Sequence, residues 1–203
     1  MRVVIPDDYQ DAVRGLGCFS RLDGFEVSVY HDTLSDIDGL AARFADADAL
    51  VLIRERTRIT AELLQRLPRL KLISQTGKGA AHIDIEACTR RGILVAVGSG
   101  SPVAPAELTF ALILAAARRL PKEITALRGG RWQSTLGVAL HGRTLGIYGY
   151  GKIGALLAHY GKAFGMRVVV WGREGSLQRA AADGVAVAAG ADELFAGADV
   201  LSL

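Results

Sequence analysis

Along the first hundred residues, short aliphatic and β-branched runs alternate with stretches whose apolar positions recur at helical spacing. Strands are expected at residues 2–5, 26–30, 49–53, 71–75 and 93–95, and helices at 37–44, 60–67 and 83–91. The Thr60 hydroxyl suits an N-cap and Gly92 a helix end. Alternation of this kind marks an α/β fold with a mostly parallel sheet. A Gly, Ser and Pro-rich loop, 98–105, then precedes a long apolar helix running from near Pro105 to before Pro121. The domain boundary is placed there, giving residues 1–98 and 99–203.

Past a loop holding Gly129, Gly130 and Gly137, a new α/β unit opens with a strand at 144–148. It runs into Gly149-Tyr-Gly151-Lys152-Ile153-Gly154 and a helical pattern over 155–164. The three glycines serve a tight turn, close approach of the backbone to a pyrophosphate, and packing of helix on strand. The helix start offers N–H groups and a positive dipole end to phosphate. Gly149, Gly151, Lys152, Ile153 and Gly154 are therefore the expected cofactor contacts. A ligand-free glycine turn is the competing reading. A Walker-type phosphate loop is disfavoured, since no Gly-Lys-Ser/Thr follows.

The next strand, 167–171, ends where an acid would bind the adenosine ribose. Gly172 stands there instead, followed by Arg173, a cation suited to a 2′-phosphate. This leans the cofactor from NAD toward NADP, although Glu174 is placed to turn back toward the ribose.

Composition narrows the function classes. Half of the 203 residues are hydrophobic and 22% charged, as in packed globular proteins. The net charge of only +3 argues against nucleic acid as partner. Two cysteines without CxxC spacing and four scattered histidines support neither a disulfide framework nor a metal site. The amino terminus lacks a signal-peptide core, and the longest apolar stretch is short of the ~20 residues a membrane span needs. A soluble, cytoplasmic protein without a membrane partner is expected.

A glycine loop that appears only after another α/β unit has an unusual order. With the segments Ala47-Asp-Ala-Leu-Val-Leu-Ile-Arg54, Leu70-Lys-Leu-Ile-Ser-Gln-Thr-Gly77-Lys78-Gly79-Ala-Ala-His-Ile-Asp84, Arg91-Gly-Ile-Leu-Val95 and Ala106-Glu107-Leu-Thr, the chain resembles the D-isomer-specific 2-hydroxyacid dehydrogenases. That resemblance implies a flavodoxin-like substrate lobe followed by a Rossmann doubly wound parallel sheet, incomplete in this chain. It also implies NAD(P)-dependent hydride transfer with a small 2-hydroxy or 2-oxo acid, and a homodimer formed through the apolar helix and the segment 128–132. The backbone of Gly77, Lys78 and Gly79 would bind the substrate carboxylate. Arg54 matches a position that approaches the anionic substrate, or is a solvated strand-end cation. Asp84 opens a helix, and His82 with Asp84 is not expected to act as a catalytic pair.

The family's catalytic arginine, acidic residue and histidine match nothing before Leu203, so no catalytic residue is expected within the chain. The 203 residues by themselves are expected to lack turnover. A nucleotide-binding regulatory or interaction protein of the same fold is the alternative.

Overall fold

The computed structural model describes residues 1–203 and divides into two compact units, Met1–Gly100 and Ser101–Leu203. The first holds strands β1 (Arg2–Ile5), β2 (Glu26–Val29), β3 (Ala49–Leu52), β4 (Leu72–Gln75) and β5 (Leu94–Val97), with helices α1 (Ile37–Phe44), α2 (Ala61–Gln65) and α3 (Ile85–Arg90). All pairings are parallel, in the order β2-β1-β3-β4-β5, the flavodoxin-like arrangement. Phe44, Leu50, Leu63, Leu64, Leu67 and Ile73 are fully enclosed between sheet and helices. Each such side chain contributes about 1.5–3 kcal/mol of transfer energy.

The helix starts follow from side-chain caps. Asp36 accepts from Gly39 N (2.6 Å), Thr60 from Leu63 N (3.2 Å) and Asp84 from Ala87 N (2.8 Å). The expected helix over 83–91 begins later than its pattern suggests. Ile83 instead forms an isolated parallel bridge with Ile59, and Asp84 takes the cap.

The second unit holds helices α4 (Val103–Ala117) and α5 (Leu120–Arg128), strand β6 (Thr144–Tyr148), α6 (Lys152–Ala163), β7 (Arg167–Trp171), α7 (Glu174–Ala182), β8 (Ala186–Val187), α8 (Ala191–Gly197) and β9 (Val200–Ser202). Its parallel order, β8-β7-β6-β9, is that of the first four strands of a doubly wound Rossmann sheet. Pro121 was expected to follow the end of a single apolar helix. The chain instead turns at Arg119 (φ +54°) and starts α5, with Pro121 in the first turn, where a missing N–H costs no helical bond. No helix is long and apolar enough to cross a membrane.

One device starts both sheets. In the first unit Asp48 N donates to Arg2 O (2.9 Å) and Arg2 N donates back to Asp48 Oδ2 (2.8 Å). In the second, Asp199 N donates to Thr144 O (3.0 Å) and Thr144 N to Asp199 Oδ2 (2.8 Å). Each aspartate precedes the strand that lies beside the first strand of its unit, so one residue fixes where the pairing begins.

Candidate functional site

In open α/β sheets, ligands bind beyond the carboxyl ends of the strands, where strand order reverses. In the second unit that point lies between β6 and β9, and the loop leaving β6 carries the three glycines. Gly149 has φ +101° and donates its N–H to Trp171 O (2.7 Å), tying the loop to the end of β7. A Cβ on Gly154 would strike the Gly149 carbonyl oxygen and press on Ile147 Cγ2 at 3.3 Å. Gly149 is thus required by its backbone conformation and Gly154 by the protein's own packing.

Gly151 is different. Its φ of −93° suits any residue, and a Cβ there would meet nothing within 4 Å. As the N-cap of α6 it brings no side chain to the helix's first N–H groups. Lys152 and Ile153, exposed on the first turn, flank the same open space. A bare backbone facing outward at a helix start fits a pyrophosphate, so the residues present accommodate a dinucleotide.

At the end of β7, Gly172 packs close to the loop, and a Cβ would come 3.2 Å from Gly149 Cα. Arg173, read from the sequence as a cation suited to a 2′-phosphate, is the N-cap of α7, exposed at the start of that helix. Glu174 lies in the helix's first turn and accepts from Gln178 Nε2 (3.0 Å). Sequence reasoning missed α7 and its two contacts with the glycine loop. Arg179 donates from Nε (3.1 Å) and Nη2 (3.0 Å) to the Tyr150 carbonyl oxygen, and the Tyr150 hydroxyl donates to Asp183 Oδ2 (2.9 Å). Burial and the Asp183 carboxylate push the Tyr150 phenol above its ordinary value, so it stays a donor.

In the first unit, β3 and β4 end side by side and carry the expected substrate residues. Arg54 is exposed with φ +57°; its N–H meets Thr76 Oγ1 (3.4 Å) and its carbonyl accepts from Gln75 Nε2 (3.0 Å). Gly77 O accepts from Gly98 N (3.1 Å). The Glu55 carboxylate lies against Gly79, and a Cβ there would displace it. Lys78 is exposed between the two glycines. Gln75 ties the two strand ends together and Glu55 lies against Gly79, and neither was singled out from the sequence. His82 is buried, which lowers its imidazole below the ordinary 6.5 against the pull of Glu55. No hydrogen bond joins it to Asp84, whose Oδ1 is the α3 cap.

Two other clusters have local explanations. Asp8, Asp11 and His31 bring one ligand atom each within 4.8 Å, but the Asp8 carboxylate already accepts from Ala12 N (3.1 Å) and Val13 N (3.0 Å). A cavity of about 520 Å³ opens beside α4, β6 and β9, mostly apolar in its lining. Its Arg143 and Asp199 bond each other at 3.0 Å, at the amino ends of the strands and opposite the glycine loop.

The two parallel sheets and the glycine turn after β6 define a Rossmann-like α/β protein. Residues 6–197 match the model of the D-isomer specific 2-hydroxyacid dehydrogenase catalytic domain, and the chain belongs to that family. It is 36% identical over 167 residues to a D-3-phosphoglycerate dehydrogenase of Methanocaldococcus jannaschii, covering 81% of this chain and 32% of that one. The chain thus spans about a third of the length of that curated relative. A crystal structure of a phosphoglycerate oxidoreductase from Vibrio cholerae is 54% identical with TM-score 0.95, over 100% of this chain and 66% of the other. A D-lactate dehydrogenase from Aquifex aeolicus, solved with NAD and lactic acid, is 29% identical with TM-score 0.69, over 99% of this chain and 60% of the other.

Proposed function

We propose that the protein is an NAD(P)-dependent oxidoreductase of the D-2-hydroxyacid dehydrogenase type, moving a hydride between nicotinamide and a small 2-hydroxy or 2-oxo acid. The observation that carries this reading is Gly151, a glycine that nothing in the protein's own packing requires, at a helix start beyond the first strand of a Rossmann sheet. Gly149, Gly151, Lys152, Ile153 and Gly154 receive the pyrophosphate. Residues 99–203 form the cofactor lobe and 1–98 the substrate lobe, where the Gly77, Lys78 and Gly79 backbone receives the acid's carboxylate and Arg54 adds positive charge. Asp and Glu are absent at 172, and Arg173 caps α7, which together favour NADP over NAD. The apolar α4, with Leu108 and Leu112 exposed, forms a homodimer contact. The setting is cytoplasmic, with no nucleic-acid or membrane partner.

The nicotinamide supplies the hydride chemistry, while the protein positions the acid, excludes water and manages the proton. These residues serve the positioning. Among the histidines, His82 is buried beside Glu55 and His31 turns Nδ1 toward the Asp8 carbonyl (3.1 Å). His141 packs on Gly165. Nucleotide binding without turnover is the second reading of the 203 residues. Assay of the purified chain with NADH and NADPH against glyoxylate, pyruvate and hydroxypyruvate separates the two. Oxidation of either cofactor that disappears in Gly151→Val establishes turnover, whereas cofactor binding with no oxidation establishes binding alone.

A further inference from the structure

The middle residue of the glycine loop is gripped from α7. Tyr150 stands between two glycines, the most conformationally free neighbours a residue can have, yet it is only 4% exposed. Its backbone carbonyl takes two N–H groups of Arg179, and its hydroxyl reaches Asp183. Arg179 on α7 and Asp183, the C-cap of that helix, are four residues apart, hence on one face. The Arg179 guanidinium is itself seated by the Ser176 hydroxyl, 3.3 Å from Nη2.

A peptide unit is planar and trans, so its C=O and N–H point in opposite directions. Drawing the Tyr150 carbonyl toward α7 therefore aims the Gly151 N–H away from α7. A cationic donor on the carbonyl also polarises that peptide and strengthens its N–H as a donor. We propose that Arg179 and Asp183 are positioning residues for the cofactor, holding the Gly149–Gly151 backbone in the one orientation that presents Gly151 N–H to a pyrophosphate. The proposal rests on the reading of this loop as the dinucleotide site.

The test is NADH titration by fluorescence on the purified chain, with adenosine as competitor and thermal unfolding of each variant recorded. Arg179→Ala weakens NADH about ten-fold, the worth of one hydrogen bond to a charged group, and leaves adenosine, which has no pyrophosphate, unchanged. Arg179→Lys, keeping one cationic donor, recovers part of the loss. Tyr150→Phe, which keeps the carbonyl bond and loses only the Asp183 contact, weakens NADH about two- to five-fold. Equal losses for NADH and adenosine, or a folded Arg179→Ala with wild-type NADH affinity, overturn the proposal. If Arg179→Ala does not fold, wild-type affinity in both Arg179→Lys and Tyr150→Phe overturns it. Gly151→Val separates the two levels. Binding lost there but intact in Arg179→Ala removes the clamp alone, whereas binding unchanged by Gly151→Val, or absent from the wild-type chain, removes the dinucleotide reading itself.

Discussion

Asp199 and Thr144 are bonded in both directions, backbone N–H to carbonyl at 3.0 Å and backbone N–H to carboxylate at 2.8 Å. The Thr144 N–H, followed by Arg143, holds the Asp199 carboxyl below the usual carboxylate value of 3.8. Asp48 is lowered in the same way, first by Arg2 N–H and then by Arg69. A depressed folded-state value means that the stabilisation is present above the unfolded value and is lost as pH falls through the folded one. The unfolding midpoint followed by circular dichroism is therefore level above about pH 5 and drops below about pH 4. In Asp199→Asn, which keeps an acceptor without the charge, the drop is shallower. An unchanged acid limb in that variant would show that the pair does not govern it.

Gly154→Ala and Gly151→Ala separate packing from binding. The first drives a methyl group into the Gly149 carbonyl and costs about 1–3 kcal/mol of stability, as overpacking does. The second places its methyl in open space and changes stability by under about 1 kcal/mol, while weakening NADH. Denaturant unfolding and cofactor titration of the two variants read both effects. Equal stability losses would contradict the assignment.

Cofactor choice is testable at two residues of unequal clarity. Arg173→Ala removes a cation from the α7 start and lowers NADPH affinity about ten-fold with NADH little changed. Gly172→Asp shifts preference toward NADH, but its Cβ also presses on Gly149 at 3.2 Å, so some affinity for both cofactors is lost with it. A wild-type chain that binds NADH far better than NADPH disproves the NADP preference.

Leu108 and Leu112 are 62% and 60% exposed on α4. Introducing charge by Leu108→Lys is expected to lower the apparent mass from dimer to monomer at micromolar concentration by light scattering. A wild-type chain already monomeric under those conditions refutes the α4 contact.

The sequence pattern located β1, β3, β4, β6, β7 and the glycine turn, because each is a local signal of β-branched residues or of glycine spacing. It also found the Asp84 cap, which lies three residues from its partner. The α5 helix stayed hidden because Pro121, read as a stop, serves equally well in a first turn. Gln75, Glu55, Arg179 and Asp183 were invisible for a different reason. Gln75 meets Arg54 across 21 positions and Arg179 meets Tyr150 across 29, and such contacts exist only once strands and helices are assembled. The left-handed turn at Arg54 likewise has no glycine or asparagine to announce it.

Gly154 and Gly151 also differ in what would hold them fixed over time. Every missense change of a glycine codon adds a Cβ, so position 154 has no conservative neighbour, and selection for folding alone keeps it fixed. At position 151, on the proposed reading of the loop, only a dinucleotide would enforce the constraint. A lineage that ceased to bind nucleotide would retain the first glycine of this pair and let the second drift, leaving a dated trace of the lost activity in an otherwise intact fold.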